Sequence, residues 1–251
     1  MSRSVAVPIV AFLVVSAIAS PALAELQGVT GLNPDVLRLT VFSTAVGAAA
    51  VWLLWRKRLA YPPTTTFGLG GPILVSIAAC LVAGVIVLCL AKVEGAPWRP
   101  PGPGALGAPL AVVLAVQLLG AAAEEVGWRG LVQPLLETRL APWKAALVTG
   151  ALFGLGHFYL AFAVSAVAFL LFLVGAVALS LILALATVGR SWKSRIAIAT
   201  LLHFLVNMET FFLFADGDGS VLYFADLAVA FGAGGMVALG FLLRRQAARS
   251  A

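Results

Sequence analysis

Charge is what this chain has least of. Only 10% of its 251 residues are Asp, Glu, Lys or Arg, against about 25% in soluble globular domains. So thin a supply of charge excludes a water-soluble fold, and a hydrophobic share of 62% excludes an intrinsically disordered one. The 16 basic residues outnumber the 10 acidic ones, for a net charge of +6. They stand in small clusters between apolar runs and form no continuous basic face, which excludes a nucleic-acid partner. Cysteine is nearly absent. Cys80 and Cys89 would lie about 180° apart around one helix and ~13.5 Å apart along it. They can neither bridge each other nor found a zinc site, and read as small packing residues. Alternating segments of ~10 residues are missing, which excludes a membrane barrel. Internal repeats are missing too, and residues 1–251 read as a single integral membrane domain.

What the chain has is long apolar runs, with a mean hydropathy of +1.08. A helix needs ~20 apolar residues to cross the hydrocarbon core. Eight stretches qualify, near 4–24, 36–55, 70–91, 105–123, 143–160, 163–188, 196–214 and 221–243. Sheet edges are not tolerated in lipid, so the expected fold is all-α, a polytopic transmembrane helix bundle of about eight spans. The run from Ala145 to Val188 must hold two helices, with a tight turn near Ala161–Ser165. Pro97, Pro100, Pro101 and Pro103 predict an extended outer loop. Arg56, Lys57 and Arg58, then Arg129, Arg139 and Lys144, then Arg190, Lys193 and Arg195, then Arg244, Arg245 and Arg249 fall at alternate ends of the spans. The positive-inside rule therefore puts both termini in the cytoplasm. Residues 1–24 read as a first span, although Arg3, an apolar core and Ala22-Leu23-Ala24 also fit a cleavable secretory signal.

Polar groups inside apolar runs cost several kcal/mol each and are therefore informative. They are few: Gln117, Glu124, Glu125 and Arg129 in and after the fourth run, His157 in the fifth, and His203, Asn207 and Glu209 in the seventh. Both histidines of the chain lie in apolar segments. Each residue alone has a plain structural reading: a packed imidazole, a boundary acid, an amide joining two helices. Spacing favours more. His203 and Asn207 are i, i+4 on one helix face, as are Phe153 and His157, which sets an aromatic ring against the imidazole. Glu125 and Arg129 have the same spacing, so Arg129 can neutralise Glu125 and leave Glu124, rotated by about 100°, free. A carboxylate in a poorly hydrated place is a good proton acceptor, as a general base must be.

At these residues the sequence resembles the CAAX prenyl protease and bacteriocin-processing (CPBP, or Abi) family of intramembrane peptidases. The family's Glu-Glu-x-x-x-Arg motif reads Glu124-Glu125-Val126-Gly127-Trp128-Arg129. Its Phe-x-x-x-His motif reads Phe153-Gly154-Leu155-Gly156-His157, and its His-x-x-x-Asn motif reads His203-Phe204-Leu205-Val206-Asn207. All three stand in the family's order within residues 105–215, the expected catalytic core. The resemblance implies hydrolysis of a peptide bond in a membrane-associated peptide or lipidated protein substrate, by an enzyme in contact with membrane lipid. Glu124, Glu125, Arg129, His157, His203 and Asn207 are its catalytic candidates. The composition, rich in Ala, Gly, Val and Leu with Arg over Lys, points to a bacterial cytoplasmic membrane.

Two chemistries fit these residues. The family is usually labelled metalloprotease: one divalent metal such as zinc would be held by His157, His203 and one of Glu124 and Glu125, with a water in the open position. Alternatively Glu124, helped by His157, deprotonates the water, while His203 and Asn207 donate hydrogen bonds to the oxyanion. A His-Glu-x-x-His motif is missing, so no metal is forced, and the second chemistry is the preferred expectation. The site should open to the cytoplasm, with Phe153 and Trp128 flanking the substrate and Leu131–Leu140 forming an amphipathic segment at the entrance. Two other readings remain: a non-catalytic scaffold or immunity protein of the same fold, and a proton-coupled transporter.

Overall fold

The computed structural model describes residues 5–31, 33–34, 36–65, 70–95, 107–213 and 220–250. Among them there is no strand. Ten α-helices follow one another: α1 (Ala6–Thr30), α2 (Ser43–Trp55), α3 (Gly70–Val93), α4 (Leu110–Gly127), α5 (Gln133–Glu137), α6 (Pro142–Leu155), α7 (Leu160–Ala163), α8 (Ala166–Thr187), α9 (Trp192–Leu213) and α10 (Val221–Ser250). A 3₁₀ turn over Leu39–Phe42 leads into α2, and a π turn over Trp128–Val132 joins α4 to α5. The prolines at 97, 100, 101 and 103, for which an extended loop is expected, lie outside the described residues.

Six helices are long and apolar enough to cross a membrane: Ala6–Thr30, Gly70–Val93, Leu110–Glu137, Ala166–Thr187, Trp192–Phe212 and Val221–Ala248. The other two expected spans are shorter. The stretch near 36–55 becomes Leu39–Trp55, because the chain enters it through the 3₁₀ turn. The stretch near 143–160 becomes the 14 residues of α6, about 21 Å. Pro142 at its first position presets the helical φ. Gly154 and Gly156 end it early, and residues 156–159 turn instead of continuing. The turn expected near Ala161–Ser165 is present. Ser165 caps α8, its Oγ accepting from the amide of Ala168 at 3.1 Å.

The helices fall into two compact units. The first holds Met1–Thr64, Gly102–Arg139 and Ser191–Phe204. Here α1, α2 and α4 pack around Phe12, which is fully buried. Glycines allow the approach: a Cβ at Gly47 would stand 2.8 Å from the Phe12 carbonyl, and one at Gly127 2.8 Å from the Phe12 ring. Thr44 Oγ1 donates to Ala123 O at 3.1 Å and ties α2 to α4. The Gln27 amide closes the loop after α1, donating to Leu37 O and accepting from Leu39 N.

The second unit holds Thr65–Pro101, Leu140–Arg190 and Leu205–Ala251. Helix α8 is its axis, with α3, α6 and α10 packed on it. In lipid, apolar side chains gain little by meeting one another, so contact depends on small residues and interhelical hydrogen bonds. Both are present. Ser180 Oγ donates to Ala146 O at 2.8 Å and Ser76 Oγ to Ile182 O at 2.9 Å. A Cβ at Gly150 would lie 2.7 Å from Val177 Cα, and backbone cannot swing aside as a side chain can. Gly150→Ala is expected to destabilise the α6–α8 contact by about 1–3 kcal/mol, seen as a lower thermal midpoint. An unchanged midpoint would show that the two helices have room to part.

Candidate active site

Sequence makes the end of α4 a poor α-helix. Gly127 and Gly130 have low helix propensity, and Pro134 has no amide to donate to the carbonyl of Gly130 four residues back. The ladder responds by widening into the π turn, with the Gln133 amide bonding to Trp128 O five residues back. The orphaned Gly130 carbonyl accepts from Trp192 Nε1 of α9 at 2.9 Å. Gly130 must lack a side chain for this, since a Cβ would meet Ile196 at 2.9 Å. Turns of this kind are concentrated at functional sites.

The turn lies directly after the acid pair. Glu125 is 0% exposed. Its Oε1 accepts from Arg129 Nη1 at 3.1 Å and from His203 Nδ1 at 2.8 Å. Since a carboxylate held by an arginine only accepts, His203 carries its proton on Nδ1. The other ring nitrogen, Nε2, then faces Glu124 Oε2 at 3.5 Å. The side chain of Glu124 keeps 16% of its surface exposed. Glu124, Glu125, Arg129 and His203 thus form one cluster within the first unit. Glu124 is not free, as the i, i+4 argument had it; the imidazole of α9 meets both acids. Glu125 Oε2 and Arg129 Nε are buried with no hydrogen-bond partner among the described residues, and such orphans call for a functional or solvent explanation.

His157 and Asn207 belong to the second unit. His157 stands in the turn after α6 and not on a spanning helix. Its Nδ1 donates to Phe153 O at 3.0 Å, capping the helix end and leaving Nε2 as the acceptor. Phe153 and Phe172 bracket the ring, with centroids at 4.8 Å and 4.7 Å, as the Phe153–His157 spacing led one to expect for the first of them. The Asn207 carbonyl accepts from Thr210 Oγ1 at 2.9 Å. Glu209, read as structural, has its carboxylate against Gly84 of α3, where a Cβ would come within 3.0 Å.

Trp128 is buried, edge-on to Phe12 with centroids 5.1 Å apart. Leu131, Val132, Gln133 and Leu135 are buried as well. Residues 131–135 are therefore an internal part of the first unit, not an amphipathic segment on its surface. Sequence reasoning also missed Glu137 and Arg195, which pair inside this unit. Both read as ordinary charges near span ends, and nothing in a pair 58 residues apart signals a contact.

Among the described residues no three His, Cys, Asp or Glu side chains are grouped so as to hold a metal ion. Within the first unit the donors facing each other are His203 Nε2 and Glu124, since Glu125 Oε1 is committed to Arg129 and His203 Nδ1. Two donors fall short of the three protein ligands of a catalytic zinc. What the cluster does offer is a partly exposed carboxylate beside an imidazole whose orientation is set by a buried acid. Residues 106–208 match the family model described as type II CAAX prenyl endopeptidase, Rce1-like. No curated protein matches the chain.

Proposed function

Because this chain belongs to the CAAX prenyl protease (CPBP) family of membrane peptidases, we propose that it is an intramembrane endopeptidase that hydrolyses a peptide bond near the end of a lipidated or membrane-associated substrate. The observation that carries the reading is the contact of His203 with both members of the Glu124-Glu125 pair. Glu124 acts as general base. It takes a proton from a water, and the hydroxide attacks the scissile carbonyl. Glu125, itself held by Arg129, orients His203 through Nδ1. With both ring nitrogens protonated, His203 also donates through Nε2 towards the developing oxyanion. Collapse of the tetrahedral intermediate breaks the C–N bond, and Glu124 returns its proton to the leaving amine. The motif positions assign His157 to assist the base and Asn207 to the oxyanion. The enzyme is placed in a bacterial cytoplasmic membrane, crossed about eight times, with both termini and the substrate entrance on the cytoplasmic side.

The test is cleavage of a C-terminally prenylated peptide by the purified protein in bilayer discs. The wild type cleaves it, His203→Ala lowers kcat by at least about 10²-fold, and a chelator has no effect. Cleavage unchanged in His203→Ala ends the catalytic assignment. Stoichiometric zinc, with loss of activity on its removal, replaces the glutamate chemistry with a metal one. Absence of any cleavage with an intact fold favours the non-catalytic scaffold.

A further inference from the structure

The helices that carry the acid pair and His203 are joined a second time, by groups the reaction does not use. Glu137, the last residue of α5, accepts both Nη1 and Nη2 of Arg195 in the first turn of α9, with Nη1 at 3.1 Å from Oε1. Each of these side chains is 3% exposed. Gln133 Nε2 donates to the same Oε1 at 2.9 Å. The two helices run antiparallel through these contacts, His203 opposite Glu125 and Arg195 opposite Glu137.

A buried ion pair is a poor source of stability. Taking two charges out of water costs about as much as their attraction returns, and apolar side chains of similar size usually hold an interior as well. What a two-point arginine–carboxylate fork supplies is a single geometry. Apolar helix contacts tolerate sliding, whereas a planar fork does not. Eight residues, about 12 Å of helix, separate Arg195 from His203, so whatever fixes Arg195 against α5 also fixes how far along α4 the imidazole reaches. We propose that the Glu137–Arg195 pair is a positioning device for the reaction: it sets the axial register of α9 at which His203 meets Glu125 through Nδ1 and faces Glu124 through Nε2. The inference rests on the protease reading for its consequence in catalysis. Glu137 and Arg195 are positioning residues, acting through His203.

The decisive variant replaces both charges with apolar chains of similar length, Glu137→Met together with Arg195→Met. A purely structural pair predicts that this variant matches the wild type in every respect. A positioning pair predicts an unchanged or higher thermal midpoint but a kcat about 10²-fold lower, with KM little altered. The second readout is independent of activity: ¹⁵N-histidine NMR of the Nδ1–H of His203, assigned against His157→Gln. That proton is expected to lose its hydrogen-bonded shift in the double variant. Arg195→Lys, which keeps the charge but not the fork, is expected to lie between the two and serves if the double variant fails to fold. A wild-type His203 signal in the folded double variant overturns the proposal, as does a wild-type signal in Arg195→Lys if the double variant does not fold. If no protein cleaves any peptide, the protease reading falls while the NMR still decides the positioning.

Discussion

Glu124→Gln is expected to leave the protein folded and to lower cleavage by about 10²–10⁴-fold. Glutamine keeps the size of the side chain and its contact with His203 Nε2, 3.5 Å away, but cannot take a proton from water. The side chain is partly exposed, so losing its charge strands no buried partner. Single-turnover cleavage and a thermal melt on the same preparation check both halves. Wild-type turnover in the variant would move the base elsewhere.

Glu125→Ala is expected to fail differently, in stability and activity together. One oxygen of this fully buried carboxylate serves Arg129 and His203 at once. Removing it leaves the buried Arg129 guanidinium without its counter-charge, which costs about 3–5 kcal/mol when one partner of a buried pair is lost. It also frees His203 to turn. The variant should melt lower and be inactive, whereas Glu125→Leu with Arg129→Leu should recover the melt without recovering activity. If Glu125→Ala melts like the wild type, the pairing on which the orientation of His203 depends is not what holds it. Adjacent letters thus have separable tasks, because one side chain points into the helix contact and the other is turned by a quarter to a third of a revolution towards water.

How far this was legible before any coordinates follows from distance along the chain. The Glu125–Arg129 pair is local, four residues within one helix, and sequence shows it. Helical character and the apolar runs are legible for the same reason, since each residue in lipid must satisfy its own backbone locally. The reach of His203 to both acids crosses 78 residues and is not local; sequence left Glu124 alone. Arg195 was placed among the loop charges because it follows Arg190 and Lys193, yet the chain is already helical from Trp192, and the arginine turns inwards. The number of crossing helices was overcounted against length for two elements. Hydropathy averages over a window and does not register the 3₁₀ turn before Ser43 or the glycines after Phe153. The signals for the π turn were all present, two glycines and a proline within eight residues, but its cause is a carbonyl that only α9 can satisfy.

That wide turn has a consequence for how the chain can vary. It accommodates one residue more than the α-helical ladder around it would, and so acts as a phase shifter between two halves of one rod. Deleting any single residue of Trp128–Val132 would restore an even pitch and rotate everything downstream by about 100°. Glu125 would keep its place, while Glu137 would swing off the face that meets α9. Insertions and deletions should therefore be tolerated on either side of these five positions far better than within them.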